Sequence, residues 1–242
     1  MITVSIVSHK HGSMVGSLVQ QLTRYPEISQ IIVVENIPEN LALPNDPRVQ
    51  KVVNLVPMGF ASNHNASFRL MRADYFCVLN PDIIFKDNLF PGLLMEMKAQ
   101  GASLIAPIVL NKGGELEDSA RHFPTFKSLL KKIIFKDKGA YDIKVGGHSF
   151  SPDWVAGMFL LFDKFSFSQV NGFDEKYFLY YEDVDICSRL WRQKFKIILS
   201  PKSIVIHDAR RDSQKSMKFA FLHIKSMARY LLSQLMQPNI LG

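Results

Sequence analysis

The densest concentration of acidic side chains lies between Phe178 and Asp185. Glu182, Asp183 and Asp185 place three carboxylates within four residues, directly after an aromatic run that favours partial burial. Carboxylates at the start of a helix can cap it and interact favourably with its dipole. A carboxylate held against aromatic rings can also serve as a general base, because burial raises its pKa. The residues alone leave both interpretations open.

Further polar side chains follow predicted strands. Ser8 follows the first strand, Glu35 and Asn36 follow the second, and Asn80 and Asp82 follow a later one. In open parallel sheets, ligands bind outside the carboxyl ends of the strands. The agreement of three strand ends therefore favours a binding edge, although each cluster alone could be a solvated turn or a helix cap.

Two side chains at strand ends suit a divalent metal. Asp82 offers a hard oxygen ligand, and His207, which ends the apolar run 204–206, suits manganese-like ions. Glycine-rich loops of the P-loop and dinucleotide-binding types do not occur in the sequence, which disfavours P-loop kinases and common dehydrogenases. A nucleotide could still bind, with its diphosphate neutralised by a divalent metal instead of backbone amides. A lone histidine is, however, more often structural than a ligand.

The elements that must position these groups alternate along the first half of the chain. Apolar runs predict strands at 3–7, 31–34, 49–56, 75–79 and 103–110, and helical spacing predicts helices at 13–24, 61–71 and 88–99. This alternation predicts an α/β fold with a mostly parallel sheet flanked by helices.

The pattern changes after residue 110. It predicts a turn at 111–114, a basic helix at 126–138, a strand at 154–162, a helix at 184–193, strands at 196–199 and 203–207, and an amphipathic helix at 213–237. We expect one α/β domain over 1–208 and a basic helical tail over 209–242. The tail would either pack on the domain or face an anionic membrane.

Composition narrows the class of protein. The 242 residues are 47% hydrophobic and 21% charged, which excludes disordered and fibrous chains. Two distant cysteines exclude a disulfide framework and a cysteine-based zinc cage, and predict reduced, buried thiols. The N-terminus lacks the features of a signal peptide, and no run of ~20 apolar residues occurs, so we expect a cytoplasmic protein. A net charge of +7 favours a polyanionic partner.

Together the motifs resemble glycosyltransferase family 2 with the GT-A fold, and within it the bacterial rhamnosyltransferase-like group. The resemblance covers almost the whole chain. It runs through Val4–His9, Ile31–Asn36, Gly59–Asn65, Leu79–Asp82, Asp153–Gly157, Val170–Glu175, Phe178–Asp185, Ser200–Pro201 and Val205–His207.

The resemblance implies roles for these residues. Glu35 takes the place of the acid that contacts the nucleoside, and the other donor-binding positions are Ser8, Asn36, Asn63, Asn65 and Asn80. Asp82 and His207 would hold a divalent metal, Mg²⁺ or Mn²⁺. Asn80 replaces the first acid of the D-x-D motif, which implies weaker metal affinity. Asp183 would be the general base with Glu182 in support, and Asp153 and Trp154 would meet the acceptor.

The implied reaction is a single displacement that inverts the anomeric carbon. The donor would be a nucleotide-sugar, dTDP-rhamnose or alternatively a UDP-hexose. The acceptor would be a hydroxyl of a lipid-linked or oligosaccharide acceptor in a growing bacterial cell-surface glycan. The protein would then be cytoplasmic and peripheral on the inner face of the plasma membrane.

Two other classes of protein remain as alternatives. A sugar nucleotidyltransferase has a related sheet, but the segment from Ser8 to Ser13 lacks the repeated glycines of its N-terminal loop. A nucleic-acid-binding module would fit the high pI, but the expected interleaving of aromatic and basic residues is not visible. No nucleic acid partner is therefore expected.

Overall fold

The computed structural model describes residues 1–125, 139–208 and 217–236. The strands are β1 Ile2–Ser8, β2 Ile28–Glu35, β3 Val49–Val53, β4 Tyr75–Leu79, β5 Ile83–Ile84, β6 Ala102–Asn111, β7 Ala120–Arg121, β8 Trp154–Val155, β9 Phe159–Asp163 and β10 Lys196–His207. The helices are α1 Ser13–Leu22, α2 Phe60–Arg69, α3 Phe90–Gln100, α4 Lys164–Gln169, α5 Glu182–Arg192 and α6 Met217–Leu235.

Eight strands form one sheet in the order β3-β2-β1-β4-β9-β6-β10-β5. The first four strands along the chain pair in parallel, as do β6 and β10. Strand β9 lies antiparallel between β4 and β6, and β5 lies antiparallel to β10 at the edge. The predicted α/β fold with a mostly parallel sheet, flanking helices and a C-terminal helix is confirmed.

Each face of the sheet is covered by helices. On one face, α1 and α3 bury side chains that include Val19, Leu22, Phe90 and Leu93. On the other, α2 and α5 bury Ala61, Ile186 and Leu190. Cys77 and Cys187 are free and buried, as predicted. The layers leave the carboxyl ends of the parallel strands as the open edge.

The second half departs from the sequence prediction in two places. The expected strand at 154–162 is two strands, β8 and β9, because the chain turns at Gly157 between them and each part joins a different sheet. The two expected strands at 196–199 and 203–207 are one strand, β10, with an irregularity between Ser200 and Ile204. The predicted helix at 126–138 lies outside the described residues.

The C-terminal helix α6 packs on the domain. Its Tyr230 and Leu231 are buried in a small cluster with Tyr177 and Val184, and Trp154 packs against that cluster. In the described ranges, no helix is both long and apolar enough to cross a bilayer.

Candidate active site

The parallel register brings the first two polar strand ends together. Ser8 lies opposite Glu35 in the β1–β2 pair, and the Asn36 amide donates to the Ser8 carbonyl at 2.9 Å. The binding edge expected from the sequence therefore has its first side chains at adjacent strand ends.

Glu35 orders the loop that follows β2. Its buried carboxylate accepts from the Leu41 amide at 2.8 Å and the Glu39 amide at 3.3 Å, and lies 3.4 Å from Lys51 Nζ. Burial tends to raise the pKa of Glu35, but these amides and Lys51 lower it overall. Glu35 is therefore held ionised, and a direct contact with a nucleoside stays a prediction.

Glu39 was missed by the sequence reasoning. Its carboxylate accepts from the Ser8 hydroxyl at 2.9 Å and from the backbone amides of Lys10 and Gly12. The hydroxyl of Ser8, a predicted donor contact, is thus bonded within the protein. The only available signal was an acid four residues after Glu35, which an isolated sequence does not distinguish from a loop residue.

Three asparagine side chains form an amide cluster beside β3. Asn36 Oδ1 accepts from Asn54 Nδ2 at 3.0 Å, Asn63 Nδ2 at 3.1 Å and the Met58 amide at 2.8 Å. Asn54 Nδ2 also donates to Asn63 Oδ1 at 2.7 Å. The cluster fixes the loop from Asn54 to Met58 at the edge of the site.

Asn65 faces a different segment. Its amide group exchanges two hydrogen bonds with the backbone of Phe173, at 2.9 and 3.0 Å, and donates to Glu175. A side chain on Gly172, which has φ +64°, would meet Asn65 Oδ1 at 2.5 Å. Asn65 therefore ties the 172–175 segment to α2, and a donor role for Asn36, Asn63 or Asn65 stays a prediction.

Asp82 and His207 meet where β5 pairs with β10. His207 Nε2 lies 3.2 Å from Asp82 Oδ2, and its Nδ1 lies 2.7 Å from Glu117 Oε2. Burial alone would lower the pKa of His207, but the hydrogen bonds and charges of Asp82 and Glu117 raise it to about 8. The structure thus unites two residues that the sequence assigned to one metal, and adds Glu117.

The second oxygen of Asp82 has no partner in the described part of the chain. Asp82 Oδ1 is buried and accepts no hydrogen bond there, an arrangement that is costly for a carboxylate unless a ligand completes it. Asn80 precedes Asp82 in the turn, and its backbone amide donates a hydrogen bond to the Met158 carbonyl. Across the described ranges, no group of three acidic, histidine or cysteine side chains is already arranged to hold a metal ion.

The acidic segment begins α5 after a strained turn. Tyr180 and Tyr181 both have left-handed backbones, with φ of +69° and +68°, which cost about 1–2 kcal/mol each for non-glycine residues. Asp183 Oδ2 then accepts from the Gly157 backbone amide at 3.0 Å, and Asp183 Oδ1 accepts from the Val184 backbone amide at 2.8 Å. Burial raises the pKa of Asp183, although these amides oppose the shift.

Gly157 lies close to both Phe60 and Asp183. An added Cβ would lie 3.3 Å from the Phe60 ring and 3.8 Å from the Asp183 carboxylate. The Asp183 oxygens therefore face the junction of β8 and β9 beside the start of α2. Each oxygen keeps a lone pair for a further donor, since a carboxylate oxygen can accept two hydrogen bonds.

The two neighbouring acids have other environments. Glu182 is buried, and burial together with the Asp183 charge raises its pKa well above the usual value. Asp185 pairs with Arg189 at 2.8 Å, and Arg189 also donates to the Gly172 carbonyl at 2.7 Å. Asp185 therefore joins α5 to the 170–172 turn, consistent with a structural role.

Asp153 and Trp154 organise the segment around His122. The Asp153 carboxylate accepts from the Phe123 amide at 2.7 Å and the Tyr141 hydroxyl at 2.9 Å. Trp154 Nε1 donates to the His122 carbonyl at 3.0 Å. Both residues lie partly exposed near β8, and their contact with an acceptor stays a prediction.

The family of the chain follows from its similarity to known sequence families. The sequence model described as glycosyl transferase family 2 matches residues 14–164, well over half of the chain. The chain belongs to glycosyl transferase family 2. It is a glycosyltransferase of glycan biosynthesis, as the sequence motifs indicated. A model described as the N-terminal domain of galactosyltransferase matches residues 144–210, a range that contains Asp183 and His207.

Two relatives of this family 2 chain are rhamnosyltransferases. Rhamnosyltransferase WbbL of Escherichia coli (strain K12) is 30% identical over 257 residues, covering 99% of this chain and 96% of that protein. N-acetylglucosaminyl-diphospho-decaprenol L-rhamnosyltransferase of Mycobacterium tuberculosis (strain ATCC 25618 / H37Rv) is 27% identical over 143 residues, covering 55% of this chain and 47% of that protein.

Solved structures show the same fold at low identity. GalNAc-T7 with UDP, GalNAc and Mn²⁺ matches with a TM-score of 0.68 and 14% identity, over 88% of this chain and 44% of that one. The mannosyltransferase PcManGT from Pyrobaculum calidifontis, in complex with GDP-Man and Mn²⁺, matches with a TM-score of 0.65 and 10% identity, over 98% of this chain and 65% of that one. This family 2 chain therefore has the GT-A fold.

Proposed function

We propose that this glycosyltransferase moves rhamnose, with inversion, from a nucleotide-sugar to a hydroxyl of a growing bacterial cell-surface glycan. The observation that carries the proposal is the Asp183 carboxylate, which is fixed by two amides, raised in pKa by burial and able to accept one more hydrogen bond per oxygen. The similarity to two rhamnosyltransferases supports the choice of sugar.

Asp183 accepts the proton of the acceptor hydroxyl while that oxygen attacks the anomeric carbon and the bond from this carbon to the nucleoside diphosphate breaks, which releases the diphosphate. General base catalysis of this kind contributes a factor of ~10²–10⁴. Because the acceptor attacks directly, one displacement inverts the anomeric centre and no covalent enzyme intermediate forms. The direct test is an assay for nucleoside diphosphate release from several nucleotide-sugars with and without acceptor, since a binding module would release none.

We further propose that Asp82 and His207 hold a divalent metal, Mg²⁺ or Mn²⁺. The unpartnered Asp82 Oδ1 and the adjacent His207 Nε2 form a suitable oxygen and nitrogen donor set. Both structurally similar proteins were solved as Mn²⁺ complexes, one with UDP and GalNAc and the other with GDP-Man. When bound, such a metal neutralises the charge of a diphosphate leaving group.

Glu117 is expected to position His207 for this role. A metal that replaces the Nε2 proton of His207 would leave the Nδ1 proton to bond Glu117 Oε2, and loss of such an outer partner weakens metal binding about 10–100-fold. We expect Glu117→Gln to weaken Mn²⁺ affinity within that range, measured by electron paramagnetic resonance of free Mn²⁺. Glu115→Gln, two residues away, is the control. Equal Mn²⁺ affinity in both variants and the wild type would contradict the role of Glu117.

The preferred donor nucleotide is deoxythymidine diphosphate, with UDP as the alternative. The two nucleotides differ by a methyl group on the base, which dTDP has, and by the 2′-hydroxyl of the sugar, which dTDP lacks; a buried methyl-sized group is worth about 1–3 kcal/mol in a fitted pocket. We expect titration calorimetry with Mg²⁺ to show dTDP binding about tenfold or more tightly than UDP, with ADP as a control for non-specific diphosphate binding. Tight UDP binding without dTDP binding would reject dTDP-rhamnose as the donor.

The acceptor is proposed to be lipid-linked, and the protein to work peripherally on the inner face of the plasma membrane. The name of the mycobacterial relative specifies a diphospho-decaprenol acceptor, a polyprenyl lipid that lies in a bilayer. An enzyme that acts on such a molecule must bring its base close to the membrane surface.

A further inference from the structure

An apolar stripe runs along the outer face of α6. At 100° per residue, six side chains that are all exposed fall within one narrow sector of this helix. They are Met217, Phe221, Ile224, Ala228, Leu232 and Leu235. Tyr230 lies on the opposite face and is buried on the domain, and Leu231, buried in the same cluster, lies at one edge of the stripe. The helix therefore packs on the domain, the first of the two predicted alternatives, and also keeps an apolar stripe exposed to solvent.

A second apolar projection lies at the carboxyl end of β3. In the loop from Asn54 to Met58, here called the apolar loop, Leu55 is 99% exposed and Val56 is 69% exposed. The amide cluster of Asn36, Asn54 and Asn63 holds both ends of this loop. These hydrogen bonds hold the loop in a conformation that keeps the side chains of Leu55 and Val56 exposed to solvent.

Phe178 connects the two projections. Its ring is 51% exposed, and its carbonyl accepts from the Phe60 amide at 3.0 Å, next to the end of the apolar loop. The following carbonyl, of Leu179, accepts from Ser226 on α6 at 2.9 Å. The apolar loop, Phe178 and the stripe are thus fastened to the segment that leads into Asp183.

The charges near these surfaces favour an anionic partner. Helix α6 has three Lys or Arg residues and no Asp or Glu, and Lys225 and Arg229 lie along one edge of the stripe. These two cations also line an open groove of about 870 Å³ whose other charged residues are Asp174, Glu175, Lys176, Asp185 and Arg189. Part of their charge is therefore balanced within the protein, and apolar burial is expected to contribute more to binding than attraction of charge.

We propose that the apolar loop, Phe178 and the α6 stripe form one docking surface for a bilayer containing anionic phospholipids. Exposed apolar side chains beside cations suit insertion at the headgroup boundary of such a membrane. Docking on this surface would bring the segment that leads into Asp183 close to the lipid. The inference rests on the proposed function, because a lipid-linked acceptor gives this orientation its use.

Point substitutions test this better than deletion of the helix, which would expose Tyr177 and Val184. We choose Leu55→Ser with Val56→Ser in the apolar loop, and separately Phe221→Ser with Ile224→Ser in the stripe. Met95→Ser is the matched control, because Met95 is 71% exposed on α3, away from both projections. Vesicles of phosphatidylcholine with phosphatidylglycerol, and of phosphatidylcholine alone, are sedimented with each protein at low and high salt.

We expect each double variant to lower partitioning to the anionic vesicles about tenfold or more, as loss of one buried apolar side chain can do. The control should bind like the wild type, and high salt should weaken binding by all proteins. Wild-type partitioning by both double variants, or none by the wild type, would overturn the proposal. So would light scattering that shows a wild-type dimer that the same substitutions dissociate, since the surface would then bind a second copy.

Binding of dTDP or UDP to the same preparations separates this inference from the proposed function. Retained nucleotide binding shows that a variant is folded and that a loss of vesicle binding is specific. If the wild type turns over donor but ignores vesicles, the docking surface is wrong and the transferase proposal stands. If it docks on vesicles but binds no nucleotide, the proposed function fails instead.

Discussion

Asp183→Asn is expected to slow sugar transfer ~10²-fold or more while leaving donor affinity nearly unchanged. Asparagine keeps the size of the side chain and can still accept from one of the two amides that hold it. It cannot take the proton of the acceptor hydroxyl. Steady-state transfer measured beside calorimetric donor binding distinguishes this loss from a defect in folding or in nucleotide recognition.

The same substitution should change the pH dependence of transfer. Asp183 acts as a base only when ionised, and burial raises its pKa above that of an ordinary aspartate. Activity of the wild type should therefore fall as pH decreases through that raised value, and the residual activity of Asp183→Asn should lack this acidic limb.

The neighbouring acids supply matched controls. Glu182→Gln should be milder than Asp183→Asn, because Glu182 is buried beside Asp183 and supports it. Asp185→Asn should mainly lower the melting temperature, because it weakens the pair with Arg189. If Glu182→Gln lost turnover while Asp183→Asn kept nearly normal turnover, the general base would be Glu182 and not Asp183. Normal turnover of all three variants would place the base outside this segment.

Asp82→Ala is expected to abolish transfer, and excess chelator should suppress the wild type. The substitution removes both the unpartnered Oδ1 and the Oδ2 that lies 3.2 Å from His207. Without this carboxylate, His207 alone remains of the pair proposed to hold the metal. Loss of activity should therefore accompany loss of Mn²⁺ binding, which electron paramagnetic resonance measures independently of turnover.

Asp87→Ala is the control for this prediction, because Asp87 is an exposed acid five residues further along. It should keep both Mn²⁺ binding and transfer. Asp82→Asn, which keeps the shape of the side chain, guards against a loss that reflects misfolding. Full wild-type activity in excess chelator would exclude the metal role of Asp82.

Much of the first half of the fold could be predicted, because its strands and helices are local patterns. The five predicted strands and three helices before residue 111 all occur, with shifted ends such as that of β3 at Val53. The antiparallel position of β9 could not be predicted. It depends on pairing with β4 and β6, which an apolar run does not specify, and the turn at Gly157 interrupts that run.

The candidate site residues that directly follow strands could be predicted from the sequence. Those that depend on contacts between residues distant in the sequence could not. Ser8, Glu35 and Asp82 were recognisable from their positions after strands. Glu117 was not recognisable, because its contact with His207 joins residues 90 positions apart, and no local sequence pattern indicates such a contact. Asn36, Asn63 and Asn65 were assigned to the donor by resemblance, whereas their observed hydrogen bonds hold neighbouring segments in place, and sequence spacing does not distinguish the two roles.

The position of β9 in the sheet also affects the order in which parts of the chain can fold during synthesis. Strand β4 lacks its second neighbour until residues 159–163 exist, and β6 is joined to β4 only through them. Asp82 meets His207 later still, when β10 pairs with β5. Pairings this distant in sequence form slowly, and domains of this size commonly pass through partly folded states. A nascent chain therefore completes the Asp82–His207 part of its binding edge among its last steps, so that a nucleotide-sugar, which stabilises only the state that binds it, would act as a ligand selective for finished molecules.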